Sequence, residues 1–261
     1  MALAPELGCS WVLCLDSDEL FCTRAESVIP HFEALHAEGV DQMTYTNHEG
    51  VPEVAETPDY FATVTLFRRH HFAVPLSAQA REGLRFWMDR SRRGQYLLMY
   101  DNGKSACRAG LSARPRSQHL WRLPEGRRSC TAMADPRRMD IEGYRKCDDP
   151  CILHFPVCGL SWLKDKYRTL GNFPDAWLGG KVKLPESFHS DAREASSSGD
   201  AALEALFRSE VLLDDAAEVA RQVACGTCMR IEEHAVFLES TPAPKEETKA
   251  ERRAPAPGAG G

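Results

Sequence analysis

Trp11-Val-Leu-Cys-Leu-Asp16-Ser-Asp18-Glu19-Leu-Phe21 is an apolar run that closes on two carboxylates one residue apart. Alternate residues of a strand share a face. If Trp11 to Leu15 is a buried strand, Asp16 and Asp18 leave its end where the chain turns, close enough to share one hard cation. Oxygen ligands of this kind suit magnesium, calcium or manganese. A diphosphate leaving group needs such a cation, so a nucleotide-sugar enzyme is the first expectation that the stretch raises.

Outward from that strand, residues 25–39 have helical spacing, with Val28, Phe32, Leu35 and His36 on one side, Pro30 in the first turn and Gly39 at the stop. Residues 41–46 alternate and predict a strand, and Tyr60 to Phe67, rich in β-branched and aromatic residues, predicts another. Residues 78–90 predict a short basic helix around Leu84, Phe86 and Trp87. Residues 96–100, the Asn102-Gly103 turn signal and residues 105–108 read as strand, turn, strand. Residues 124–140, broken by Pro and Gly, read as a loop. Cys151 to Phe155 predicts a strand stopped by Pro156, and Leu160 to Leu170 a helix. Residues 181–200, ending in Ser196-Ser-Ser-Gly199, read as a flexible connection, and 201–224 as helical. From about Thr241 the chain is Pro, Ala, Glu, Lys and Gly and is expected to be disordered.

The length of 261 residues allows one large domain or two small ones, and 43% hydrophobic with 27% charged residues reads as globular. No apolar run approaches the roughly 18 residues of a membrane span, and no charged-then-apolar leader opens the sequence. The net charge of −6 hides an asymmetry: residues 79–128 hold twelve Lys and Arg against four Asp and Glu, about +8, leaving about −14 elsewhere. A basic segment beside an acidic pair suits a phosphorylated ligand, and a solvated basic face is the plainer alternative. No aromatic ladder is interleaved with the basic residues, which argues against nucleic acid as a partner.

Ten cysteines lie at 9, 14, 22, 107, 130, 147, 151, 158, 225 and 228. Cys14, inside the apolar run, reads as a buried free thiol. Cys147, Cys151, His154 and Cys158 could ligate zinc, with Cys225 and Cys228 as a second cluster. The spacing matches no regular ribbon or finger, so disulfides and free thiols stay open beside zinc.

Asp101-Asn-Gly-Lys104-Ser-Ala-Cys-Arg108 places Lys104 and Arg108 on one strand face, where both could address a phosphate. An ordinary hairpin with solvated basic ends reads equally well. His154 closes an apolar strand; it could complete a metal site with the acidic pair or be an ordinary core histidine. Trp162 and Tyr167 read as core or acceptor-stacking residues. A second enzyme class uses an acidic pair at a strand end: the aspartyl-nucleophile phosphatases, with Asp16 attacking phosphorus. That pattern wants Thr or Val where this chain has Leu20, and Lys146 with Asp148-Asp149 imitates its later motif poorly.

Taken in order, the acidic motif, Asn102-Gly-Lys-Ser-Ala-Cys-Arg108, His119-Leu-Trp121, Ile152-Leu-His154-Phe, Trp162 and Lys166-Tyr167 resemble the plant and algal branch of the family 92 glycosyltransferases and the related family 2-like domains. The stretch from Val211 to Arg230 is similar to the end of those domains. The resemblance covers roughly residues 9–235, with 236–261 as a disordered tail. It implies an α/β fold, a partial GT-A (nucleotide-diphospho-sugar transferase, Rossmann-like) domain. It implies Asp16 and Asp18 as ligands of a divalent cation, usually manganese, and of the donor diphosphate, with His154 as a further metal ligand. Lys104 and Arg108 are the phosphate contacts expected. Members transfer galactose or a related sugar from a uridine-linked donor to a glycan, with inversion, and family habit places them at the Golgi membrane. The general base should be an acid near the acceptor; no segment marks it, and Asp148, Asp149 and Glu142 are the candidates.

In that family an opening segment with an Asn-Glu pair and a His-containing helix precedes the acidic motif. Its lack here reads as an N-terminal truncation, with any membrane anchor lying in the missing part. Little or no transfer is then expected from these residues alone. A degenerate, non-catalytic binding domain is the third reading.

Overall fold

A computed structural model of the chain describes residues 3–133, 143–146, 149–169, 176–177, 182–183 and 187–235. In chain order these form α1 (Leu3–Glu6), β1 (Trp11–Leu13), β2 (Glu19–Cys22), α2 (Ile29–Ala37), β3 (Gln42–Tyr45), β4 (Asn47–Gly50), α3 (Tyr60–Thr63), β5 (Leu66–Arg68), α4 (Ala78–Arg90) and β6 (Lys104–Arg108). After them come β7 (Arg114–Pro115), β8 (Trp121–Arg122), β9 (Ser129–Met133), β10 (Tyr144–Lys146), β11 (Cys151–His154), α5 (Leu160–Thr169), β12 (Ala176–Trp177), β13 (Val182–Lys183), α6 (Phe188–Ser198), α7 (Asp200–Leu206), α8 (Ala216–Ala224) and β14 (Cys228–Arg230). The fold class is α/β, as expected, and its mixed sheets are consistent with a partial Rossmann-like domain.

Two five-stranded sheets carry the structure, in the orders β1-β6-β3-β9-β10 and β14-β5-β4-β11-β2. In the first, β3 is antiparallel to β6 and parallel to β9. In the second, β11 is parallel to β4 and antiparallel to β2. Only Thr46 separates β3 from β4, and its carbonyl accepts from the Ile152 N–H at 3.0 Å. One core cluster, including Leu35, Met43, Tyr45, Ala106 and Ile152, joins the sheets to α2; a second, including Leu163, Phe188, Leu203 and Phe207, lies among the later helices.

The longer helices follow their capping chemistry. The Ser77 side chain accepts from Ala80 N–H to start α4, which buries Ala80, Gly83 and Trp87, and Asp215 caps α8. Pro30 sits in the first turn of α2, where its missing N–H costs nothing, and Gly39 follows at φ 71°.

Five expectations need correction. Residues 60–67 split: Asp59 accepts from Ala62 N–H and caps the short helix α3 before β5 begins, so local capping overrides β-propensity. The expected loop 124–140 contains β9, whose Cys130 and Ala132 enter the core; residues 134–140 lie outside the described ones. Part of the expected flexible connection is α6, which buries Phe188, Ala192 and Ala195 at helical spacing. Strand β1 ends at Leu13, where its pairing with β6 stops, so Cys14 is exposed rather than buried.

Finally, residues 96–100 are not a strand. Their polar backbone groups are taken by side chains instead. Glu49 accepts from the Leu98 and Met99 N–H groups at 3.1 and 3.0 Å, and Arg68 and Asn47 donate to the carbonyls of Tyr96 and Tyr100 at 2.9 and 3.0 Å. Asn47 also accepts from Gly103 N–H at 3.1 Å. Gly103 has φ 62°, and a Cβ there would overlap the Tyr45 carbonyl oxygen. The Asn-Gly signal therefore marks a close crossing of β3 rather than a hairpin tip. The tail, 236–261, lies outside the described residues.

Candidate functional site

The turn between β1 and β2 carries the acidic motif. Glu19 N–H donates to the Asp16 carbonyl at 3.2 Å, and Asp16 N–H donates back to Glu19 Oε2 at 2.9 Å. Antiparallel pairing sets Glu19 opposite His154, and Phe155 N–H donates to the Asp18 carbonyl at 2.8 Å. His154 Nε2 is 3.9 Å from Asp18 Oδ2, close but beyond hydrogen-bond reach. From α5, Lys166 donates to the Pro156 carbonyl at 2.9 Å and approaches Asp18 Oδ2 at 3.4 Å.

Lys104 opens β6 beneath the turn. Its ammonium is fully buried, 2.6 Å from Asp16 Oδ2 and 3.2 Å from Glu19 Oε2. The Tyr100 hydroxyl donates to the same Asp16 oxygen at 3.3 Å, and its ring stacks on His154 with centroids 5.2 Å apart. His119 meets Tyr100 in a T-shaped contact, with centroids 4.8 Å apart, and bonds through Nδ1 to the Gly103 carbonyl at 2.8 Å. The structure thus brings Asp16, Asp18, Lys104 and His154 together and adds Glu19, Tyr100, His119 and Lys166.

Arg108 is not among them. It lies at the far end of β6, opposite Trp11, four residues or on the order of 13 Å from Lys104, and pairs with Asp41 at 3.5 Å. The shared strand face was right; the strand is too long for one phosphate to reach both. Asp149 is also misplaced as a base for this cleft. It precedes β11 at the end away from His154, accepting from the Thr23 hydroxyl and Arg24 N–H, each at 2.9 Å. Glu142, Cys147 and Asp148 lie outside the described residues.

Electrostatics divide the carboxylates. Burial acts to raise the Asp16 carboxyl, but the hydrogen bond and charge of Lys104 outweigh it and hold the group below its ordinary 3.8. Burial raises Glu19 above its ordinary 4.5 despite the Asp16 N–H and Lys104. Burial lowers His154 and His119, against the pull of Asp18 on the first and of the Gly103 carbonyl on the second. Burial and the nearby carboxylates raise Tyr100, which stays protonated and a donor. The ion pair of Asp16 therefore adds stability above the ordinary carboxylate range and loses it as pH falls through the depressed folded value. A carbon-13 titration of Asp16 is expected to give a midpoint below 3.8 that moves up in Lys104→Met. A midpoint unmoved by that change would remove Lys104 as the cause.

Part of this donor set suits a hard cation. Asp18 and the Oδ1 of Asp16, which makes no described bond, have the right chemistry. His154 fits less well. Its Nδ1 is buried without a partner, so the neutral ring keeps its proton on Nε2, facing Asp18. To ligate through Nε2 it would have to leave an unsatisfied Nδ1–H inside the protein. Among the described residues, His70, His71 and Asp101 do have three ligand atoms in mutual reach. Both ring nitrogens of His70 are already used, by Phe72 N–H at 3.1 Å and the Asp101 carbonyl at 2.9 Å. The described cysteines are free thiols.

Comparison with known proteins adds one finding. Over 179 residues the chain is 32% identical to a glycosyltransferase-like protein of Arabidopsis thaliana, a match covering 67% of this chain and 35% of that protein. That likeness supports a glycosyltransferase-like family. It does not single out family 92. The match spans about a third of the relative's own length. No family model matches the chain, and no solved structure matches it. Among the described residues, no helix is long and apolar enough to cross a membrane.

Two signals in the sequence went unread. Glu19, adjacent to the acidic pair, holds Lys104, and Asn47 and Glu49, alternating on β4, fix the segment that delivers Tyr100 and Lys104. Period-two spacing of polar residues in a buried strand was the available sign.

Proposed function

We propose that the cleft binds the diphosphate of a nucleotide-sugar donor together with a divalent cation, manganese first among them, as part of a glycosyltransferase that passes a sugar to a glycan. A uridine-linked galactose is the donor to try first. The observation that carries the reading is the alternation of charge at the end of β1: Asp16 and Glu19 on Lys104, and Asp18 beside Lys166. Three carboxylates face two ammonium groups, a balance that a divalent cation and a diphosphate together would suit.

A bound divalent cation supplies neutralisation of the charge that develops on the leaving diphosphate. The protein's own groups do the rest. Asp18 and Asp16 Oδ1 would hold the cation, and Lys166 lies where it can meet a phosphate oxygen. Glu19 keeps Lys104 in place, and Tyr100 fixes the orientation of Asp16. Donors set in advance toward developing charge need no reorganisation during the reaction.

Calorimetry with manganese and a uridine-diphosphate sugar tests this. Binding is expected to require the metal and to fall at least about tenfold in Asp18→Ala, the loss of one charge-assisted contact. Binding that ignores the metal, or that survives the substitution intact, would reject the cleft as a donor site.

A further inference from the structure

Across the second sheet from the carboxylates lies a cavity of about 120 Å³, lined by Cys22, Arg24, His48, Arg69, Asp149 and Cys151 among others. This is far more than the roughly 10–15 Å³ that one water needs. On β4, Asn47 and Glu49 turn toward the 96–103 segment, so His48 between them turns to the opposite face. The pairing of β11 with β2 agrees: Cys22 and Cys151 line the cavity at one end of the ladder, while Glu19 and His154 sit in the cleft at the other.

The carboxylate on the cavity wall, Asp149, is engaged by Thr23 and Arg24, while two other groups of the wall keep donors without acceptors. His48 is 1% exposed, and its Nδ1 accepts from the His70 N–H at 2.9 Å. That bond fixes the tautomer, leaving the proton on Nε2 with no described partner. Burial and the nearby charges of His70, Arg69 and Arg24 push the ring down to about 3, so it is neutral in ordinary buffers. Arg69 is half-buried. Its Nε donates to Met229 Sδ at 3.3 Å and its Nη1 to the Ala73 carbonyl at 3.2 Å. A guanidinium has five N–H donors, and among the described residues no carboxylate pairs with this one. Arg24 and Arg230 on the same wall are paired, with Asp149 and Glu53. One positive charge, held in position by a sulfur and a carbonyl, is left uncompensated on the wall that also carries the Nε2–H of His48.

We propose that this cavity is a binding site for a small oxyanion of the phosphate type, held between the Arg69 guanidinium and the Nε2–H of His48. An oxyanion supplies the missing acceptors and the missing charge together, in the geometry that arginine favours. The proposal is independent of the sugar-transfer reading, because the two sites use different residues on opposite faces of one sheet.

The test is a titration of the whole chain with inorganic phosphate, with sodium chloride as the control for ionic strength. The nitrogen-15 signals of His48 are followed by NMR. They are expected to show the Nε2–H tautomer, and phosphate is expected to shift them saturably. Arg69→Gln is expected to weaken that shift at least about tenfold, the loss of a charge-assisted hydrogen bond. His48→Asn keeps an acceptor for the His70 N–H and removes the Nε2 donor. It is expected to weaken phosphate binding measured by calorimetry, with the thermal midpoint in chloride checking that it folds. Signals that do not respond to phosphate, or that respond as fully in Arg69→Gln, would overturn the proposal. So would binding lost in Lys166→Gln but kept in Arg69→Gln, which would put the anion in the carboxylate cleft.

Discussion

Glu49→Ala is expected to destabilise the fold by about 3–5 kcal/mol, the usual cost of breaking a buried ion pair from one side. Glu49 and Arg68 are each 1% exposed and lie 3.0 Å apart. Without the carboxylate, Arg68 keeps a buried charge facing the Trp87 ring, 4.3 Å from its centroid, and one carbonyl, that of Tyr96. Two backbone N–H groups, of Leu98 and Met99, lose their acceptor in the same step. Urea denaturation measures the loss. Arg68→Leu and the double variant complete a cycle in which the pair should show strong coupling, because each single change strands the other partner. A loss below about 1 kcal/mol in Glu49→Ala, the level of an exposed pair, would mean that the 96–103 segment is held by something else.

Lys104→Met is expected to cost about 3 kcal/mol near neutral pH, with a distinctive dependence on acidity. Methionine fills a similar volume, so the loss is one of charge. Glu19, 1% exposed on its side chain, would keep only the Asp16 N–H. Burial already raises Glu19, and removing Lys104 raises it further. A carboxyl whose folded value exceeds its unfolded one stabilises when protonated and loses that contribution as pH rises through the folded value. The deficit of the variant should therefore shrink as pH falls through the raised value of Glu19 toward its ordinary 4.5, and grow toward neutrality. A deficit that is flat with pH would show that Glu19 does not carry the uncompensated charge. In the donor-binding assay the same variant should also bind less, since Asp16 loses its partner.

Much of the architecture was readable from local chemistry. Helices α4 and α5 appear where the sequence placed them, and β11 and the opening of β1 follow their apolar runs. The acidic turn, Lys104 and His154 lie together, although Lys104 is buried against Asp16 and Glu19 rather than open to a phosphate. What escaped was set by partners distant in sequence. Residues 96–100 have the composition of a strand, but Glu49 and Arg68 occupy their backbone groups before any neighbouring strand can. Helix α6 hid behind its serines, although Phe188, Ala192 and Ala195 mark one face. Arg108 shares a face with Lys104 on paper, yet strand length and Asp41 take it out of reach. In the cavity, the neutrality of His48 comes from burial and from the charges of His70, Arg69 and Arg24, which no motif spells out.

The single-residue passage from β3 to β4 has a mechanical consequence. A hinge needs backbone that can swing without giving up bonds, and Thr46 offers its carbonyl to Ile152. The two sheets must then bear load as one plate. Any opening or closing around a ligand falls to the pieces bordering the cleft, the arch at 96–103 and the part of α5 that carries Lys166, and a probe on either should register it before one on the strands does.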